Sequence, residues 1–294
     1  MDSGTQDAGI IDASTRDSAM DARTDAATDA SLDASTTDMD IEMDAGTMLI
    51  PVYYVRDIEV GMRLYREFRR VPATDDPVRA AVEAMLDEPA LDPDYESLWP
   101  TGTSINAMSV AGATLTLDLS SAALTPVLGS EAEGITLQQL VYTATAADNS
   151  ITSVELLIDG EEIESLWGHV DTSGPMTRAP RLDVLAPVWI IDPQEGDQVT
   201  TLTISGDATV FEGTVSYSVE RACLMVGCDD EPFFLDGHTS ATEGGPGRGT
   251  WSASIVLPDE AFDGDGMVRI SAWEASAKDG SVRHLDDKVI KVVR

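Results

Sequence analysis

Asp76-Pro77-Val78-Arg79-Ala80-Ala81-Val82-Glu83-Ala84-Met85-Leu86 is the stretch on which the fold turns. Asp76 supplies a helix N-cap acceptor, and Pro77 is preorganised for the first helical turn. Val78, Ala81, Val82 and Met85 then recur at i, i+3, i+4 and i+7, one apolar face, until Pro89 stops the helix. Upstream, the run from Ile50 to Val55 is β-branched and aromatic, and residues 63–71 carry Leu64 and Phe68 among their apolar positions. Both runs read as strands. Downstream, residues 105–110 and 114–119 read as two more. In the second of these, Leu115, Leu117 and Leu119 alternate with Thr114, Thr116 and Asp118. A second helix is expected from near Thr136, with Leu137, Leu140, Val141 and Ala144 on one face. Residues 154–158 form a buried strand, and Asp159-Gly160 is a hairpin signal. The order β-β-α-β-β-α-β predicts an α+β domain over residues 48–168, with helices on one side of a sheet.

The pattern changes on both flanks. Residues 169–186 hold Gly174, Pro175 and Pro180 without apolar periodicity, which suits an extended linker. Residues 187–294 contain short strand-like runs at 188–191, 199–204, 214–219, 233–235, 250–256, 267–273 and 287–293, separated by turn signals. With no helical period among them, they predict an all-β sandwich. Ahead of the α+β domain, residues 1–47 consist almost wholly of Asp, Ala, Ser, Thr and Met. Asp21, Asp25, Asp29 and Asp33 would stack and repel on one face of a helix, so this acidic segment is expected to be a disordered tether. Asp38, Asp40, Glu42 and Asp44 alternate as in a calcium loop. Met43 stands where such a loop needs glycine, however, and Leu49 where it needs a ligand, so a solvated spacer is the better reading.

The formal net charge of −35 excludes nucleic acid as a natural partner, since phosphate binding needs Lys and Arg. No apolar run approaches the roughly 18 residues of a spanning helix, and no basic segment followed by an apolar one marks a signal peptide. Either the protein is cytoplasmic or Met1 lies downstream of the true start. Cys223 and Cys228 are the only cysteines; they form a disulfide in an oxidising compartment or remain two thiols, and no further ligands accompany them for zinc. His169, His238 and His284 lack metal-binding spacing and read as exposed loop residues. No nucleophile elbow or Walker loop occurs, and Gly244 to Gly249 joins two strands without opening a helix. Neither cofactor, metal nor catalytic residue is expected. One local reversal of charge stands out: Arg63, Arg66, Arg69 and Arg70. They form either a docking patch for an acidic partner or the solvent face of a strand balancing nearby carboxylates.

Several stretches of the first domain resemble the GerMN domain of sporulation and spore-germination proteins. They are Val52-Tyr-Tyr-Val55, Arg70-Val-Pro72, the helix Arg79 to Leu86 ending at Pro89, Thr101-Gly-Thr103, Leu117-Asp-Leu-Ser120, Leu137 to Thr143 and Ile158-Asp-Gly160. Asp87-Glu88 departs from that pattern where glycine is common. In the second domain, Ile204 to Ala208, Val210 to Val215, Ala241 to Gly244, Gly247 to Ala253 and Glu274 to Gly280 resemble the immunoglobulin-like domain that accompanies it. The stretch from Arg221 to Glu231, with both cysteines, departs from the pattern as a decorated loop. The resemblance implies a non-enzymatic, extracytoplasmic cell-envelope accessory protein acting through protein–protein contacts. Its signal sequence and lipidated cysteine would be missing from this chain, and its partners would be envelope proteins. The alternative is a module that binds peptidoglycan or another carbohydrate.

Overall fold

The computed structural model describes residues 46–125, 129–222, 234–258 and 266–293. The acidic tether, its calcium-like alternation and the Cys223/Cys228 pair lie outside the described residues.

The first domain begins with a long hairpin, β1 (Thr47–Ile58) and β2 (Gly61–Pro72), paired in register from Thr47↔Pro72 to Ile58↔Gly61. Both strands outrun their apolar cores by several residues, because ladder hydrogen bonds propagate past the residues that are buried. Helix α1 (Pro77–Asp87) follows. Asp76 caps it by accepting from the Arg79 N–H at 3.0 Å, and Val78, Ala81, Val82 and Met85 are buried as the spacing requires. Strands β3 (Ile105–Ala111) and β4 (Thr114–Leu119) pair antiparallel, and helix α2 (Ser130–Ala147) carries the chain to β5 (Ser153–Ile158), parallel to β4. A parallel pair needs such a crossover. Asp159 and Gly160, with φ of 49° and 84°, make the tight turn into β6 (Glu161–Glu162).

The strands form two sheets, the hairpin β1–β2 standing apart from β3-β4-β5-β6. Helix α2 starts at Ser130, earlier than expected, and is buried nearly all round, from Leu137, Leu140 and Val141 to Glu133, Gln139 and Thr143. Its polar residues complete the free edge of β1. Thr143 Oγ1 accepts from the Tyr53 N–H at 3.1 Å, and Gln139 Nε2 donates to the Tyr53 carbonyl at 2.9 Å. An edge strand so covered presents no template for pairing.

Residues 169–186 are not an extended linker. Met176 exchanges backbone hydrogen bonds with Val154 at 2.7 and 2.8 Å. Tyr142 donates to the Ala179 carbonyl, and the Arg178 guanidinium lies 4.6 Å from the Tyr142 ring centre. A single-turn helix α3 (Arg181–Val184) then leads into buried Val184, Leu185 and Ala186. The prolines interrupt regular structure without freeing the segment from the domain surface.

The second domain is an immunoglobulin-like sandwich. One sheet orders β12 (Gly249–Ile255), β9 (Leu202–Ala208) and β7 (Val188–Asp192). The other orders β11 (Phe234–Ser240), β10 (Thr214–Arg221), β13 (Gly266–Ala275), β14 (Val282–Val292) and β8 (Gln198–Val199). The run read as one strand over 199–204 is thus split between the two sheets. Val188, Ile190, Ile204, Val219, Trp251, Ile270 and Ile290 meet between them. Gly206 is required there: a Cβ would meet the Trp189 carbonyl oxygen and the indole of Trp251.

Candidate functional site at the domain seam

The two cores meet through strand β7. Alternation turns Val188 and Ile190 into the sandwich and Trp189 out of it, into the core of the first domain. There the indole lies 6.4 Å from the Tyr53 ring centre and 6.2 Å from that of Tyr65, with Tyr65 stacked on Tyr95 at 4.6 Å. Arg248 covers the outer face of Trp189 at 4.1 Å and donates to the Ala186 carbonyl at 2.9 Å.

Backbone groups of β2 are completed from the joining segment and from the second domain. Ala186 N–H donates to the Leu64 carbonyl at 3.0 Å. Four residues on, the amide side chain of Gln194 imitates a strand: its Oε1 accepts from the Phe68 N–H and its Nε2 donates to the Phe68 carbonyl at 2.9 Å. On the far side of the seam, one face of β14 buries Ile290 and Val292 in the sandwich and presents Lys288, Asp286 and His284 to the first domain. Lys288 Nζ donates to Asp92, to Tyr95 Oη at 2.6 Å and to Asp286 Oδ1 at 3.2 Å. Asp286 Oδ2 accepts from the Ile190 N–H at 2.7 Å. Burial opposes the Lys288 charge, but the Asp286 and Asp92 carboxylates outweigh it and raise its pKa. Burial keeps the Tyr95 phenol protonated, well above its usual range, as the donor the cluster needs.

The four arginines of β2 do not form one patch. Alternation sends Arg63 and Arg69 to one face of the strand and Arg66 and Arg70 to the other. Arg69 pairs with Glu88 at 2.7 Å and lies 3.5 Å from Glu67. Arg66 is buried, its guanidinium 5.0 Å from the Phe68 ring centre, and Arg70 is exposed beside Thr47. Arg63, half-buried, faces the seam.

His284 is not an exposed loop residue, contrary to the sequence reading. It sits in β14 with a φ of 56°, buried, its Nδ1 2.9 Å from Glu59 and its Nε2 3.5 Å from Glu274. Burial lowers its pKa, with Arg283 and Arg63 adding to the effect against Glu59 and Glu274. His238 is exposed but lies in strand β11 rather than a loop, and His169 is exposed in a loop with its Nδ1 2.9 Å from Glu133. Glu133, unremarked in the sequence, holds the loop after β6. Its carboxylate accepts from Ser165 Oγ, from the N–H groups of Trp167 and His169, and shares a hydrogen with His169 Nδ1. Burial raises its pKa, but these bonds outweigh it and bring it down to about 2.

Among the described residues no group of His, Cys, Asp and Glu is placed to hold a metal ion, and no helix is long and apolar enough to cross a membrane. Lys288, Asp92, Asp286 and Tyr95 form one buried cluster that ties the two domains together. At one end of the seam Arg63, Arg181, Arg248 and His284 are among the residues that line a small pocket.

Comparison with known proteins agrees with this architecture. Residues 51–164 match the family model Germane, sporulation and spore germination, and residues 187–281 match Gmad2, the immunoglobulin-like domain of bacterial spore germination. Among solved structures, the first GerMN domain of the sporulation protein GerM from Bacillus subtilis is similar, with 19% identity and a TM-score of 0.38. That match covers 45% of this chain and 98% of that one. The tandem GerMN domains of the same protein match at 18% identity and a TM-score of 0.38, over 65% of this chain and 60% of that one. No curated protein matches the chain. The chain therefore carries a GerMN-type domain of the sporulation and spore-germination family, followed by the immunoglobulin-like domain of bacterial spore germination.

Proposed function

We propose that this protein is a non-enzymatic accessory component of a bacterial cell envelope, related to germination, which docks a partner protein on a surface shared by its two domains. The observation that carries the reading is the seam. Trp189 from one domain completes the core of the other, and the Lys288 cluster ties them at a second point. Two domains held in one orientation offer a wider, preorganised surface than either alone, and preorganisation lowers the entropy cost of binding. The acidic segment before residue 46 serves as a tether to an anchor supplied by a longer precursor, as in a lipoprotein. In such a compartment Cys223 and Cys228 would be joined, and thiol labelling of the native envelope protein would find neither free.

Protein docking is favoured over glycan binding because Phe211 is the only aromatic among the large apolar side chains exposed in the described residues. A sugar platform needs several such rings together. The test is crosslinking of the full chain in cells followed by mass spectrometry. One recurrent envelope protein among the products is the expected result, whereas retention on purified peptidoglycan with no protein required would overturn the reading in favour of wall binding.

A further inference from the structure

Strand β3 forms an edge of the four-stranded sheet, with β4 on its inner side. The far edge of β5 is taken by β6 and by the Met176 backbone, and α2 closes the edge of β1 in the neighbouring hairpin. Among the described residues no strand pairs with the outer side of β3. Such an edge is a template for further pairing, which proteins commonly blunt with charge, proline or a bulge. β3 reads Ile105-Asn-Ala-Met-Ser-Val-Ala111, with neither a charged residue nor a proline. Its irregularity lies between Ile105 and Ala107, which leaves residues 107–111 in regular register with β4.

That stretch has two different faces. The two-residue turn Gly112-Ala113 makes Ala111 and Thr114 a hydrogen-bonded pair. Alternation then aims the N–H and C=O groups of Met108 and Val110 away from β4. The side chains of these two residues share a face with Leu115 and Leu117; Met108 packs against the core there, and Val110 is 53% exposed. On the opposite face Ala107, Ser109 and Ala111 are small and exposed. Asp118 stands behind Ala107 on β4, with Glu155 beyond it on β5.

The charge around this edge is of one sign. Asp118 accepts from the Gly160 N–H at 2.9 Å, Glu155 from Thr116 at 3.0 Å and Asp159 from Asn106 at 3.1 Å, all neutral donors. From Ala80 to Thr177 the sequence holds no Lys or Arg at all. A second copy pairing here would set two such acidic sheets side by side, and like charges oppose that. A basic strand suits the edge instead. Neighbouring strands lie about 4.8 Å apart, so a lysine on an added strand reaches across the small side chains of β3 towards Asp118.

We infer that β3 accepts, as an added antiparallel strand, an extended segment of a partner protein in which apolar and basic residues alternate. Its apolar residues pair with Met108 and Val110 and extend the core, while its lysines or arginines face Asp118. Main-chain hydrogen bonds supply the affinity of such an addition, and alternate side chains supply its specificity. β3 takes part in none of the seam contacts above, so this inference stands apart from docking at the seam.

Fluorescence anisotropy of a labelled peptide of alternating Val and Lys, about eight residues long with blocked ends, tests the assignment against the full chain. At an ionic strength of about 0.15 M the peptide should saturate a single site. It should bind more tightly than a peptide of the same composition with Val and Lys in separate blocks, and than one with Glu in place of Lys. Val110→Pro removes an outward N–H without touching the β4 ladder and should weaken binding about tenfold, whereas Val110→Thr keeps the N–H and should stay within a few-fold. Thermal melts show whether each variant still folds, and a second peptide series needs no variant. Methylating the Val amides, which face β3, should abolish binding, and methylating the Lys amides should not. Absence of saturable binding, equal binding of the alternating and block peptides, indifference to Val110→Pro, or equal loss from either methylation would overturn the assignment. A dimer of the full chain in sedimentation that Val110→Pro dissolves would overturn it too, with a second copy as the occupant of the edge.

Discussion

Tyr95 of the α+β domain donates its phenolic hydrogen to Asp286 Oδ1 of the sandwich at 2.5 Å, and both side chains are buried. Lys288 lies between Asp92 and Asp286 in the same cluster, so one ammonium faces two carboxylates and a phenol across the seam. Arg56, 3.7 Å from Asp286 and 2.8 Å from Asp94, supplies the second positive charge that balances the group.

Lys288→Met leaves Asp92 and Asp286 buried without their ammonium, and the expected loss of stability is about 3–5 kcal/mol. The combined variant K288M/D92N/D286N removes the stranded charges and should recover part of that loss. Denaturant unfolding of the three proteins at pH 7 checks the order. Since its partners raise the Lys288 pKa, its contribution is fully present below the ordinary lysine value and is lost as pH rises through the higher folded one.

Trp189 belongs by sequence to the sandwich and by packing to the other domain. Trp189→Ala should cost about 3–5 kcal/mol, the range for emptying a buried aromatic site. It should also uncouple the domains. The unaltered chain is expected to melt in one calorimetric transition and the variant in two, and a single transition in both would show that the coupling lies elsewhere.

The elements legible in the sequence were those whose burial is apolar and one-sided. Val78, Ala81, Val82 and Met85 announced α1, and Leu115, Leu117 and Leu119 announced β4, because a helix or strand with one wet face writes its period into the chain. The seam was illegible for the opposite reason. His284, Asp286 and Lys288 occupy buried positions of β14 with polar side chains, so the strand was recognised only from Asp287 onward, although it begins at Val282. Glu133 and Gly134 hid the first turns of α2 in the same way. Buried polar residues satisfied by partners far along the chain leave no local pattern, and the distance from Asp92 to Lys288 in sequence is spanned only by the fold. The arginines of β2 were visible as a cluster, but their alternation across two faces, with Arg66 covered, needed the strand's neighbours to be known.

Glu133 gives a test of the loop that follows β6. Its carboxylate has a pKa of about 2 in the folded protein, below that of an ordinary glutamate. A depressed folded pKa contributes stability that is present above the unfolded value and lost as pH falls through roughly 4 towards 2. Glu133→Gln should therefore cost about 2 kcal/mol at pH 7, where it removes charge-assisted bonds to Ser165, Trp167 and His169. The difference between the two proteins should shrink in unfolding experiments below pH 4. A difference that stays constant down to pH 2 would mean that shape, not charge, holds the loop.

Asp192, at the end of β7, runs the other way. Burial raises its pKa, with the Asp197 carboxylate adding to the effect, and together they push it up to about 6. The protonated form is thus the one the fold favours, and stability is lost as pH rises from the ordinary aspartate range near 4 through about 6. Asp192→Asn keeps the size and removes the charge. At pH 7 the variant should be the more stable protein by about 1 kcal/mol, with solvent screening holding the gain below what full burial would give. For a domain pair of this length, that corresponds to a rise of about 2–4 °C in Tm. Near pH 4 the two proteins should melt together, because Asp192 is then largely protonated in the folded chain. Thermal melts at half-unit steps from pH 4 to 8 follow the divergence, and its midpoint should fall between the unfolded and folded values. Parallel melting curves across that range would show that Asp192 carries no proton in the folded protein at pH 5, and that its charge is tolerated where it lies.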